Sequence, residues 1–212
     1  LSGGQMNFTT YAGRNVTMLP STAADVLNTG TDLVLQATDA LNLWAPLTVN
    51  NPTGNGGKLT LESQGSVLIG SNGRIDTDNG DLLVLAGTSF TNNATSNPFN
   101  VGTGHWMVYA DDPLTSRVGT LNFDYKQYGT AYGGTLLGTG NGVVFVQAPT
   151  LNVQVNGDFR VYDATNVAGS NAIVITGLVD GDLLPYTVTD SDLHAGMPLD
   201  LLLNVSGSTT SS

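Results

Sequence analysis

The chain has 212 residues and a mass of 21.9 kDa, room for one elongated domain or one and a half globular ones, and its 40% apolar residues can bury a core. Cysteine is absent, which excludes disulfides and thiolate metal sites, and no apolar run approaches the ~18 residues of a membrane-crossing helix. Six basic against 17 acidic residues give a net charge of −11, which repels phosphate backbones and anionic membranes, so neither a nucleic-acid partner nor direct membrane insertion is expected.

Beginning at Leu1 without a charged leader or cleavage site, the chain reads as a fragment or a mature piece. Helical signals are poor throughout. Apolar residues recur at spacing two between stretches rich in Gly, Asn, Asp and Thr, the pattern of short strands and turns. Met6 and Phe8 open the series. Leu33 and Leu35 follow 27 residues later, Leu59 and Leu61 after a further 26, and Leu83 and Leu85 after 24. A step of eight runs inside each repeat, from Phe8 to Val16, from Leu33 to Leu41 to Val49, and from Leu59 to Val67 to Ile75. Each repeat therefore predicts three short strands separated by polar turns.

Three strands of ~3–5 residues make a triangular coil, and coils pile at ~4.8 Å by parallel backbone pairing. Inward Leu, Ile and Val then form ladders, with Gly and Asn at the corners. No coil buries its own apolar face, so stacking supplies the core. A sandwich of antiparallel hairpins uses the same short strands, but the sequential repeat favours the coil. The expected fold is all-β: a right-handed parallel β-helix with three short strands per coil over residues 1–104, capped by an aromatic β-rich region.

The register breaks after Gly87. Residues 88–104 read as a polar loop with Pro98, His105–Tyr109 as an aromatic strand, Asp111–Pro113 as a turn, and 114–142 as irregular and rich in Gly and Tyr. Strand character returns at Val143–Val146 and Leu151–Val155. Residues 105–156 are expected to close the coil end, because an uncovered last coil presents unpaired backbone groups. Residues 157–212 alternate at Ala172–Ile175, Tyr186–Val188 and Leu199–Val205, are short for an independent domain, and end in a tail, Ser206–Ser212, that reads as frayed.

Several phrases in this order resemble the large exoproteins of bacterial two-partner secretion, the filamentous haemagglutinin family. Gly80-Asp-Leu-Leu-Val-Leu-Ala-Gly87, leading into Phe90-Thr-Asn-Asn93, is similar to the family's coil phrase. Trp106-Met-Val-Tyr-Ala-Asp-Asp-Pro113 is similar to its tryptophan–tyrosine–proline phrase. Asp124-Tyr-Lys-Gln-Tyr128, Tyr132-Gly133, Gly140-Asn-Gly142 and Ala148-Pro-Thr-Leu151 follow. Val161-Tyr-Asp-Ala-Thr165 with Gly177-Leu-Val-Asp-Gly-Asp182 resembles the start of a YDG/MBG-type β repeat, departing from it at Ala164, where the turn glycine belongs. The family's secretion domain is not evident. The resemblance implies a secreted, surface-displayed adhesin fragment rather than an enzyme. It would be delivered through an outer-membrane two-partner transporter and bind a host receptor, a matrix polysaccharide or a neighbouring cell.

Nucleophilic catalysis needs a base beside a nucleophile. The two histidines, His105 and His194, are scattered and no Gly-x-Ser-x-Gly turn accompanies them, so no catalytic residue is assigned. Asp76-Thr-Asp78-Asn-Gly-Asp81 brings three carboxylates to one turn. A hard cation such as calcium would suit them, and a coil-stack enzyme acting on polysaccharide would use them as its acids. Asn-Gly flanked by Asp is equally what a tight turn prefers, and the glycine and distal Glu of an EF-hand loop are not in place. Asp180-Gly-Asp182 and Asp190-Ser-Asp192 are weaker versions. Trp44, near Pro46, reads as a corner packing residue. The aromatics Trp106, Tyr109, Tyr125 and Tyr128, with Phe123 and Tyr132, can stack on sugars or anchor a partner, or else roof the coil end. Haem or host-protein capture follows from the family's name, and no spacing around His105 supports haem ligation. No cofactor is assigned. Asn7, Asn15, Asn93 and Asn204 open Asn-x-Ser/Thr sequons, which chance also produces in such a chain; some members of the resembled family are glycosylated at such sites.

Overall fold

A computed structural model of the chain describes residues 15–155, 173–180, 182, 186–190 and 201–205. The chain divides into two compact units, 1–148 and 149–212. In the first, helix α1 (Pro20–Leu27) precedes three coils of three strands each. These are β1 (Leu33–Ala37), β2 (Ala40–Leu43) and β3 (Pro46–Thr48); then β4 (Leu59–Ser63), β5 (Ser66–Ile69) and β6 (Arg74–Asp76); then β7 (Leu82–Ala86), β8 (Phe90–Asn92) and β9 (Phe99–Asn100). Strands β10 (Trp106–Ala110), β11 (Tyr125–Gln127) and β12 (Gly142–Phe145) follow. Every pairing among them is parallel, and as far as β10 each joins a strand to its counterpart one coil on: β2-β5-β8 and β3-β6-β9 form two faces, and β1-β4-β7-β10-β12-β11 the third. The protein is a parallel β-solenoid, nearly all β.

The interior is made of stacked ladders. Leu33 and Leu41 lie in register with Leu59 and Val67, as the step of eight predicts, but the third column sets Leu47, six residues after Leu41, over Ile75 in place of Val49. Leu59, Val67 and Ile75 are all fully buried. A second column is shifted too. The period of 24 places Leu83 and Leu85 over Leu59 and Leu61, whereas the register sets Leu82 over Leu59 and Val84 over Leu61, with Leu85 beside Glu62. A slip of one residue turns every side chain to the opposite face. Alternation could not decide it, because Leu82-Leu83-Val84-Leu85 is apolar throughout and both faces of β7 are covered.

Toward the C-terminal end the ladder turns aromatic. Phe90, Phe99 and Trp106 pack through the interior, Phe90 tilted against Phe99 with ring centroids 6.4 Å apart and Phe99 edge to face with Trp106 at 5.4 Å. The solenoid does not stop at 104: β10 continues the face of β7, Thr91 bridges Arg117 on the second face, and β12 inserts between β10 and β11 although β11 comes first in the chain. The expected division between coils and cap therefore falls inside one stack.

Column-forming glycines explain the tight corners. A Cβ on Gly57 would stand 2.0 Å from the Thr31 carbonyl oxygen, one on Gly80 2.4 Å from that of Gly57, and one on Gly104 2.8 Å from that of Gly80. Each coil rests its glycine on the backbone below. The one helix among the described residues, which the sequence reading did not expect, starts with Pro20 in its first turn and buries Ala23, Ala24 and Leu27 against the first coil. Ala23 and Leu27 lie four apart, one stripe of a short helix.

In the second unit β13 (Asn152–Val155) pairs antiparallel with β14 (Ile173–Thr176), and β15 (Tyr186–Asp190) antiparallel with β16 (Leu201–Val205). Val161–Thr165, the opening of the repeat-like phrase, lies outside the described residues.

The corrected register has a direct consequence. Leu82→Ala, which empties an interior site, is expected to cost about 2–5 kcal/mol in denaturant unfolding, and Leu85→Ala less than half as much. A larger loss for Leu85→Ala would put the column back one residue.

Candidate functional site

The acidic turn between β6 and β7 is built by residues that few side chains could replace. Asp78 and Asn79 both hold left-handed backbone, with φ of 48° and 69°, a region where Asn and Asp are among the few tolerated non-glycine residues. The carboxylates do not converge. Asp76 accepts from its own turn at the Asp78 N–H (3.2 Å) and from Asn100 Nδ2 of the next coil (2.9 Å). Asp78 accepts from the Asn51 N–H of the coil before (2.7 Å), and Asp81 from the His105 N–H of the coil after (2.9 Å). Among the described residues, no group of three or more His, Cys, Asp or Glu side chains is placed to hold a metal ion, so the calcium that the acidic spacing would suit finds no ligand set at Asp76, Asp78 and Asp81. Beside Asp76 and Asp78 a shallow groove of about 380 Å³ is lined also by Asn50 and Asn100.

These bonds belong to a wider pattern that the sequence reading missed. Asp32 accepts from the Lys58 N–H (2.8 Å), Asn28 Oδ1 from the Asn50 N–H (2.7 Å), Asn79 Oδ1 from the Thr103 N–H (2.8 Å) and Asn141 Oδ1 from the Trp106 N–H (2.9 Å). Each is a polar side chain clipping a corner N–H of an adjoining coil, where the strand ladder has lapsed. Buried Asn92, on β8, links in the opposite sense, donating Nδ2 to the Val118 carbonyl (3.0 Å). The signal was present as Asp and Asn recurring at coil spacing: Asp32 to Asp81 and Asn28 to Asn79 each span two coils.

The aromatic candidates separate into two sets. Trp106 is buried in the interior against Phe99, and Tyr128 stacks flat on Phe145 with centroids 5.5 Å apart. Both contribute to the roof. Tyr109 and Tyr125 instead lie on the outer face of the β1-β4-β7-β10-β12-β11 sheet, where Leu83, Leu85, Met107 and Val144 form a second, smaller apolar cluster with them. The Tyr125 ring crosses the space that a side chain on Gly142 would fill, and its hydroxyl reaches Met107 Sδ at 3.4 Å. Tyr132 meets Tyr109 edge to face at 5.2 Å while itself 61% exposed.

Tyr132 is held there by Gln127, another residue whose role the sequence concealed. Its buried amide donates to Thr130 Oγ1 (2.7 Å) and the Thr135 carbonyl (2.9 Å), and accepts from the Leu137 N–H (2.9 Å). The loop 128–141 is thereby tied to β11 and displays Tyr132, Leu136 and Leu137, the last 86% exposed. This is a rigidly mounted apolar patch beside a polar rim, suited to stacking or packing rather than to proton transfer.

Trp44 is exposed and lies against Gly70 of the next coil, where a Cβ would come within 2.5 Å of its ring. His105 is exposed at the corner before β10. Asn15 and Asn93 are exposed. Asn7, His194 and Asp192 lie outside the described residues, and Asn204 falls within β16, where only the strand is described. In comparisons with known proteins, no family model, no curated protein and no solved structure matches the chain.

Burial, and secondarily the phenols of Tyr125 and Tyr132, push the Tyr109 hydroxyl above the ordinary tyrosine value; burial does the same to Tyr125. Unfolded tyrosines release their protons near pH 10 while these stay protonated in the fold. The unfolded state then binds fewer protons, so stability is fully present below about pH 10 and is lost as the pH rises beyond it. Tyr109→Phe is expected to show a smaller fall in Tm than the parent between about pH 9 and about pH 11. Equal falls would show that Tyr109 does not ionise in a buried setting.

Proposed function

We propose that this chain is a segment of a secreted bacterial surface adhesin, the coil stack serving as a stiff stalk and the Tyr132 loop as a contact surface. One observation carries the reading. Successive coils are joined twice over, by continuous parallel backbone pairing on three faces and by Asp and Asn side chains at the corners. A solenoid joined in this way resists bending and can hold a surface away from a cell. The resemblance to filamentous haemagglutinin exoproteins supports the same role, with passage through an outer-membrane two-partner transporter and folding by coil addition outside the cell. The ligand would be a host receptor, a matrix polysaccharide or a neighbouring cell.

The groove beside Asp76 and Asp78 favours a second reading, a polysaccharide-active enzyme on the same fold. One experiment separates them. The full chain is passed over immobilised pectin, alginate, bacterial exopolysaccharide and fixed epithelial cells, with retention and released sugar both measured. The adhesin reading expects retention on at least one surface, weakened by Tyr132→Ala and unaffected by Asp78→Asn, without released sugar. Sugar release abolished by Asp78→Asn would establish the enzyme instead, and no retention on any surface would contradict the adhesin.

A further inference from the structure

Four Asn-Gly pairs lie among the described residues: Asn55-Gly56, Asn72-Gly73, Asn79-Gly80 and Asn141-Gly142. Each occupies a corner ahead of a strand, β4, β6, β7 and β12 in turn. Asn-Gly is the dipeptide most open to spontaneous loss of the side-chain amide. Glycine leaves the following backbone nitrogen unshielded and lets the chain bend toward Asn Cγ. In a folded chain two things oppose that approach. One is a side-chain amide already held by partners; the other is a glycine N–H committed to a bond that opens only with the structure around it.

The four pairs differ in both respects. Asn79 is half-buried, and its amide is gripped from the coils on either side: Nδ2 donates to the Gly54 carbonyl (2.8 Å) and Oδ1 accepts from the Thr103 N–H (2.8 Å). Asn141 Oδ1 accepts from the Trp106 N–H (2.9 Å), its own N–H donates to Asp124 Oδ2 (2.7 Å), and Gly142 is buried in a strand with a neighbour on each side. Asn55 is exposed and Nδ2 donates to the Thr53 carbonyl (3.3 Å), but the Gly56 N–H is bound across to the Asp78 carbonyl of the next coil (2.9 Å). Asn72 has neither restraint. It is exposed, and its side chain has no hydrogen-bond partner among the described residues. The Gly73 N–H donates to the Gly70 carbonyl (2.9 Å), a bond contained within one surface turn.

We infer that Asn72 is a site of covalent modification, deamidating spontaneously on the folded protein, while the stack withholds the other three pairs from the same reaction. The Gly73 backbone nitrogen attacks Asn72 Cγ. A C–N bond forms there, the bond from Cγ to the side-chain nitrogen breaks, and ammonia leaves with the proton that Gly73 gives up. Water then opens the cyclic imide at either carbonyl, leaving aspartate or an isoaspartate whose backbone runs through the side chain. The product adds a negative charge between β5 and β6 and leaves the ladders standing, because β5 ends at Ile69 and β6 begins at Arg74. The same change at Asn79 would remove the Nδ2 donor that holds the Gly54 carbonyl.

The sequence makes the comparison direct. Trypsin, cutting after Lys58, Arg74, Arg117 and Lys126, puts the four asparagines in four different peptides, and Asn72 is the one asparagine of 59–74. The full chain is held in warm, mildly alkaline buffer, folded or in denaturant, and amide loss at each site is followed by peptide mass and fragmentation. In the folded chain Asn72 is expected to convert at least about tenfold faster than Asn79 and Asn141, and ahead of Asn55. In denaturant the four rates are expected to draw together. Any of the other three leading in the folded chain, or Asn72 keeping its amide there while the denatured chain loses it, would overturn the assignment. Asn72→Ala, a change confined to an exposed turn, is expected to cut ammonia release from the folded chain severalfold; unchanged release would overturn it independently.

Discussion

Parallel backbone pairing from one coil to the next is the constraint on which the rest depends. A strand of three to five residues has no stability of its own, and a single coil leaves its apolar side chains facing an empty centre. Once a second coil sits in register, each inward leucine or isoleucine lies over its counterpart and the interior closes. The spacing is unforgiving, which is why Gly57, Gly80 and Gly104 stand in a column, each too near the backbone below to carry a side chain. The same spacing lets Asp32, Asn79 and Asp81 reach an adjoining coil's N–H at the corners, where the strands lapse and polar groups would otherwise need water.

That economy decides what the acidic turn can do. A carboxylate engaged by an adjoining coil's backbone is fixed in place and has fewer lone pairs to offer a ligand. Asp76, Asp78 and Asp81 each point their hydrogen bonds to a different partner, so they brace the stack before they serve any chemistry. The outer face of the β1-β4-β7-β10-β12-β11 sheet is different. From β7 onward it carries Leu83, Met107, Tyr109 and Val144, and the loop tied down by Gln127 sets Tyr132 edge to face on Tyr109 while leaving Tyr132 and Leu137 toward solvent. Contact with another molecule is the role that such a mounted surface fits.

Much of this was visible in the sequence where one face of a strand is polar. Leu59-Thr60-Leu61-Glu62 alternates cleanly, and its inward residues were read correctly along with the step of eight to Val67 and Ile75. Leu82-Leu83-Val84-Leu85 has no polar face, and the second cluster outside the sheet removed the contrast that alternation needs. The helix at Pro20–Leu27 was hidden because eight residues give too short a stripe to stand out beside a strand period. The insertion of β12 between β10 and β11 reverses chain order locally, which no periodicity can express. At the candidate sites, residue type left two roles open, ligand platform or roof of the coil end: Trp106 is buried against Phe99, and Tyr128 is half-buried and stacked on Phe145.

The stacking itself can be observed through its methyl groups. In methyl-labelled protein, nuclear Overhauser contacts between methyls of Leu61 and Val84, and of Val84 and Val108, report three successive rungs of one interior column. The account predicts both contacts. Contacts from Leu61 to Leu85 in place of Val84, or none from Val84 to either neighbour, would contradict it.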